Sequence, residues 1–157
     1  MRLYFLRHAE AEQLAASDFE RKLTTRGVKR TKTAAQVLLK LGIEPEHIYS
    51  SPRVRALQTA EIVAAALNLP VEVDDGLDFR FDLEVVEDLI DDLPLDAEVM
   101  FVGHEPGMSE VVEELTGAFV AMKKGGMARV DVDYVTEPLR GQLIWLIAPK
   151  VFDQLGE

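Results

Sequence analysis

The sequence predicts an α/β fold: a three-layer α/β/α sandwich with a mostly parallel mixed sheet and a C-terminal antiparallel hairpin. Three observations carry this. Short branched and aromatic runs, Leu3-Tyr4-Phe5-Leu6 and Val99-Met100-Phe101-Val102, read as buried strands. Between them lie longer stretches with apolar residues at helical spacing. The chain then changes character: Ala128-Arg129-Val130-Asp131-Val132-Asp133-Tyr134 alternates with period two, and residues 142–148 form a second apolar run.

The elements follow in order. Strand one covers residues 2–6, and a polar loop spans 10–23. Thr24 or Thr25 can cap a helix that runs to about Leu41 and is stopped by Gly42. Val28, Ala35, Leu38 and Leu39 form its apolar stripe, with lysines between them. Residues 47–50 are a short second strand. Ser51-Pro52 reads as an N-cap with proline at the first helical position, opening a helix through Ala66 that Asn68-Leu69-Pro70 ends. Residues 71–73 are an edge strand. Leu83, Val86, Leu89 and Ile90 share one face of a helix over 83–93. Residues 99–102 are a buried strand, and Pro106 opens a helix to Leu115 that Gly117 ends. With no repeat, low-complexity tract or linker, a single domain over 1–157 is expected.

The chain has 157 residues, 48% hydrophobic and 29% charged, which suits one domain with a sizeable core. It has no cysteine, so disulfides, thiol catalysis and thiolate-bound zinc are excluded. No apolar stretch approaches a bilayer span, and no secretory signature opens the chain. A cytoplasmic monomer that binds neither membrane nor nucleic acid is expected. The net charge is −11, yet residues 1–60 carry 11 Lys and Arg against 6 Asp and Glu. Most of these charges are solvated surface, but the basic half offers a local face for anions.

Three strand ends carry chemistry. Strand one ends in Arg7-His8, strand 99–102 runs into Gly103-His104, and Tyr49-Ser50-Ser51-Pro52 is followed by Arg55. In α/β folds the carboxyl edge of the sheet is where ligands sit. Phosphoryl transfer needs an in-line nucleophile and cationic donors around the equatorial oxygens. Arginine binds two phosphate oxygens at once, and a neutral imidazole offers a nucleophilic nitrogen. A second, protonated histidine can stabilise developing charge. Backbone N–H groups at the helix starts near Ser51 and Pro106 could add to this. The requirement is that four dispersed side chains meet around one tetrahedral oxyanion.

Arg7-His8-Ala9 resembles the Arg-His-Gly motif of the histidine phosphatase superfamily, also called phosphoglycerate-mutase-like. The segment from Ser51 to Ala60 is similar to its Ser-Pro-x-x-Arg-Ala-x-Gln-Thr-Ala motif. Leu23-Thr24-Thr25-Arg26-Gly27 resembles its Leu-Thr-x-x-Gly segment, and Gly103-His104-Glu105-Pro106 its Gly-His-x-Pro. The motifs come in the family's order and reach to about residue 110. Short length and the segment from Asp18 to Thr24 point to the SixA-type phosphohistidine phosphatases.

The resemblance implies His8 as the transiently phosphorylated nucleophile. It implies Arg7 and Arg55 as phosphoryl binders, and His104 as the group that stabilises the transferring charge. Asp18 and Arg21 are further candidates for substrate binding. No metal or organic cofactor is implied. His47 lies outside the motifs and is read as structural or exposed. Two departures stand out. Ala9 replaces the usual glycine. No counterpart is found for the acid that larger relatives carry after the second motif, although Asp18, Asp78 and Asp82 are candidates. An alkoxide leaving group needs such an acid, whereas a phosphoramidate nitrogen is protonated more readily. The expected substrate is therefore phosphohistidine on a partner protein, such as a phosphotransfer domain or phosphocarrier, reached through a shallow open pocket. The alternatives are a small-molecule phosphomonoesterase on the same scaffold and a non-catalytic phosphoprotein-binding module.

Overall fold

The computed structural model describes residues 1–157. In chain order the elements are β1 (Arg2–Arg7), α1 (Thr25–Lys40), β2 (His47–Ser50), α2 (Val54–Leu67) and β3 (Val71–Val73). A 3₁₀ turn (Asp75–Leu77) leads to α3 (Leu83–Ile90), β4 (Glu98–Gly103) and α4 (Gly107–Thr116). The chain ends with β5 (Met127–Asp131), β6 (Gln142–Ile147) and α5 (Pro149–Leu155). The sheet order is β3-β2-β4-β1-β5-β6. The first four of these strands run parallel, and β5 is antiparallel to both β1 and β6. This is the expected mixed sheet with its C-terminal antiparallel pair. No helix is long and apolar enough to cross a membrane.

The central strands are buried on both faces, so their interior positions, Leu3 to Leu6 and Val99 to Val102, form unbroken apolar or aromatic runs. Leu3, Phe5, Val99 and Phe101 face α3 and α4 within one core cluster. Tyr4, Leu6, Met100 and Val102 face α1, α2 and α5 within the other. Phe5 and Phe101 stack with centroids 5.4 Å apart. Each buried side chain of this size contributes about 1.5–3 kcal/mol, and together they fix the strand register.

Several boundaries shift for local reasons. Thr24 caps α1 as expected, accepting from the Gly27 N–H at 2.9 Å. Val37 rather than Leu39 turns inward, and Leu39 is exposed. The N-cap of α2 is Arg53, not Ser51, and its side chain makes no cap bond. Ser51 instead continues the strand direction, its N–H donating to the Val102 carbonyl. Asn68 adopts the left-handed conformation that ends α2, and Gly117 does the same for α4. Helix α3 stops at Ile90, short of Leu93. Strand β5 ends at Asp131, and the exposed Tyr134 lies in a long connection to β6 rather than in a tight hairpin. Helix α5 was not expected. Pro149 at its start and buried Phe152 are its sequence signals.

One glycine ties the fold to the carboxyl edge of β1. Gly27, in the first turn of α1, lies against the backbone of Glu10, and a Cβ there would overlap the Glu10 carbonyl oxygen. Gly27→Ala must push this loop away from α1. The expected cost is about 1–3 kcal/mol, read as a fall of several degrees in the thermal unfolding midpoint.

Candidate active site

Strand register builds the site. Arg7 pairs with Gly103 between β1 and β4, and Ser50 pairs with Val102 between β2 and β4. The ladder continues one step further: the His8 N–H donates to the Gly103 carbonyl at 2.9 Å. Neighbouring parallel strands lie about 4.8 Å apart, so three strands ending at one level bring Arg7-His8, His104 and Ser51 together. The imidazole centroids of His8 and His104 are 5.3 Å apart. Arg55 enters from the first turn of α2 and is buried.

His8 is buried, and its Nδ1 lies 2.7 Å from the Ala9 carbonyl oxygen. A carbonyl only accepts, so the proton sits on Nδ1 and Nε2 keeps its lone pair. Burial lowers the pKa of His8 to about 3, with His104, Arg55 and Arg7 adding repulsion. The ring is therefore neutral at physiological pH. Ala9, where the motif has glycine, is buried without strain, and its N–H donates to the Thr59 hydroxyl.

His104 is also buried, and its pKa falls to about 4, through burial first and then Arg55, with Asp78 opposing. It too is neutral before an anion arrives. Its Nε2 lies 2.8 Å from the Ser51 hydroxyl. That oxygen also accepts from the Arg53 N–H and keeps its own proton to give. Ser51 can thus accept from a protonated His104 or donate to a neutral one. Gly103, just before His104, is closely packed: a Cβ would come within 2.7 Å of Met108 Cε and 3.0 Å of the Leu77 carbonyl.

The arginines are held at their ends. Arg7 Nη1 donates to the Met122 carbonyl at 2.9 Å. Arg55 Nη1 donates to the Asp18 carbonyl at 2.8 Å and Nη2 to the Asp18 carboxylate at 3.1 Å. Burial disfavours the charged form of both, but a guanidinium remains charged. Three buried side-chain polar atoms lack a partner: Arg7 Nε, Arg55 Nε and His104 Nδ1. All three belong to this one cluster. Buried polar groups are normally paired, so the cluster is built for something it does not itself supply.

Asp18 and Arg21 sit further out. The Asp18 carboxylate also accepts from Arg21 at 3.0 Å and from Arg53 at 2.8 Å. Arg21, then Arg55, hold it below the usual carboxylate range. Arg21 spends its Nε on the Glu12 carbonyl, so it braces the 10–23 loop. Asp78 accepts from Arg53 Nε at 2.6 Å and lies 3.9 Å from His104 Nε2. Asp82 caps α3. His47 opens β2 and pairs with Glu72, away from the cluster. No three His, Asp or Glu side chains come together in a way that could hold a metal.

Some contributors escaped the sequence reading. Gln58 Oε1 accepts from the Leu23 N–H at 2.7 Å, and with Thr59 it explains the Gln-Thr of the motif as a brace on the segment after His8. Residues beyond 117 are more than packing. The Gly125 N–H donates to the Arg7 and His8 carbonyls, and Met122 holds Arg7. The helix starts contribute less than expected. The N–H of Val54 goes to Phe19, that of Ser109 to Glu105, and that of Met108 to His104.

Comparison with known proteins agrees with the geometry. The family model of the histidine phosphatase superfamily (branch 1) matches residues 3–81. An uncharacterized protein of Picosynechococcus sp. (strain PCC 7002) is 41% identical over 81% of this chain and 82% of its own length. The phosphohistidine phosphatase SixA of Escherichia coli (strain K12) is 35% identical over 73% of this chain and 74% of its own. The solved structure of the protein histidine phosphatase SixA complexed with tungstate superposes with a TM-score of 0.85 at 31% identity, covering 96% of this chain and 98% of that one. A shared fold, the ordered motifs and these likenesses place the chain in the histidine phosphatase superfamily, among proteins related to SixA.

Proposed function

We propose that this protein removes the phosphoryl group from phosphohistidine on a partner protein through a covalent intermediate on His8. The observation that carries the substrate class is the state of the carboxylates beside the cluster. Asp18 and Asp78 are each ion-paired to arginine, Asp82 caps a helix, and Glu105 accepts from the Ser109 N–H and hydroxyl. None is poised to protonate a departing alkoxide.

In the first step the lone pair of His8 Nε2 attacks phosphorus. A bond forms from Nε2 to phosphorus as the bond to the leaving nitrogen breaks, and that nitrogen keeps the electron pair. An imidazole leaving group needs one proton to depart neutral. Its second ring nitrogen faces away from phosphorus and takes that proton from solvent. Arg7 and Arg55 hold the equatorial oxygens, and their unpartnered Nε atoms are donors in waiting. His104 gains a proton as the dianion enters, with Ser51 accepting from it. In the second step a water oxygen attacks phosphorus, the pair returns to Nε2, and the water proton leaves with phosphate or solvent. A folded donor reaches the cluster from outside, which favours a phosphotransfer domain or phosphocarrier as the partner.

Rapid quenching with a phosphoramidate donor tests the reading. The expected product is an acid-labile, base-stable phosphate on His8, absent in His8→Ala. His8→Ala is also expected to lose turnover by at least about a thousandfold, as removal of a covalent nucleophile does, while still binding inorganic phosphate. Failure to trap the adduct, or faster turnover of aryl phosphates than of phosphoramidates, would defeat it.

Two pH experiments follow from the buried rings. Neither His8 nor His104 protonates in the free enzyme until pH falls toward about 3 and about 4. The acid limb of kcat/KM, corrected for titration of the substrate, is expected below pH ~5 rather than near the ordinary histidine value of ~6.5. Stability follows the same groups. The unfolded chain takes up these protons near pH ~6.5 while the folded chain resists, so stability falls as pH is lowered from ~6.5 toward ~4. In urea melts across that window, His8→Asn and His104→Asn are expected to flatten the slope.

A further inference from the structure

Two phenylalanines are exposed where the fold gains nothing from exposing them. Phe79 is 53% accessible and Phe19 is 42% accessible. Phe79 meets His104 edge-on with centroids 5.0 Å apart, and the Arg55 guanidinium lies 5.8 Å from its centre. Phe79 therefore touches two of the four clustered residues and still faces solvent.

Its orientation is fixed. The Arg53 guanidinium covers one face of Phe79 at 3.9 Å and lies 5.6 Å from the ring of Phe19. Arg53 in turn is pinned by Asp78 at 2.6 Å and Asp18 at 2.8 Å. The Phe19 carbonyl accepts the Val54 N–H, which anchors that residue to the start of α2. The rim is thus a clamped aromatic-cation-aromatic stack beside an oxyanion cluster. Large exposed apolar groups beside a polar site mark contact with a ligand or partner. A flat ring gains most from such a wall, by offset or edge contact and by excluding water from the departing nitrogen.

We propose that Phe79, held by Arg53 and extended by Phe19, is the wall against which the departing ring of the substrate packs, so that it selects phosphoryl groups borne on an aromatic ring. This rests on the phosphohistidine reading above and narrows it to a specificity-determining residue. Phe79 is not required for the phosphoryl transfer itself.

The test crosses bond type with ring. N-phosphohistidine and phosphoramidate are phosphorus–nitrogen donors with and without a ring; phenyl phosphate and acetyl phosphate are their oxygen counterparts. The readout is the ratio of kcat/KM for the ring donor to that for the ringless donor within each pair. Because each ratio is taken within one protein sample, partial misfolding cancels. Phe79→Ala is expected to lower the ratio about three- to tenfold, chiefly through KM, and Phe79→Trp to restore it. Equal losses on ring and ringless donors in Phe79→Ala, or a ratio that does not move, would overturn the proposal and leave Phe79 as a prop for His104. A wild-type protein that prefers phenyl phosphate to phosphohistidine would defeat the functional reading instead, while the ring ratio still decides the role of Phe79.

Discussion

The alignment of three parallel strand ends is the constraint on which everything else depends. β1, β4 and β2 are hydrogen-bonded in a register that sets Arg7 opposite Gly103 and Ser50 opposite Val102. The residues one step further on are His8, His104 and Ser51. A slip by one residue would turn each side chain to the opposite face of the sheet. The register is itself held by cores on both faces, since Phe5 and Phe101 pack on one side and Tyr4 and Met100 on the other. Hydrophobic burial thus determines where two imidazoles meet.

Around that point the chain uses loops as braces. The segment after His8 is fastened by Thr59 and Gln58 of α2 and crowded by Gly27 of α1. The turn before β5 grips the Arg7 and His8 carbonyls through Gly125. Loops carry function when a rigid scaffold positions them. Here every brace reaches back to a helix or to the sheet edge. The cost of the arrangement is visible in the two histidines, whose neutral forms are imposed by burial and by neighbouring guanidinium groups.

The sheet strands and most helix ends were legible because their signals are local. The run from Leu3 to Leu6, Thr24 as a cap and Gly117 as a stop each speak for themselves. Ser51 shows where local reading fails. Its sequence says helix cap, but Val102 claims its backbone and His104 and Arg53 its hydroxyl. These partners are distant in sequence or visible only in the fold. Met122 acts through its backbone carbonyl, which leaves no trace in side-chain identity, and Gly125 shows only as a glycine in the left-handed region. Asp18 and Arg21, expected from the sequence as substrate binders, bind each other in the fold, and Asp18 also holds Arg55. Phe79 carried no signal at all, since an exposed aromatic looks the same in sequence as a buried one.

The carboxylate of Asp18 lies on Arg55 and Arg53 before any ligand comes. An incoming anion therefore meets two unequal guanidinium groups: Arg55 already shares one carboxylate with Arg53, whereas Arg7 is hydrogen-bonded only to a backbone carbonyl. A carboxylate on Arg55 lowers what an anion gains there, so the firmer grip falls to Arg7.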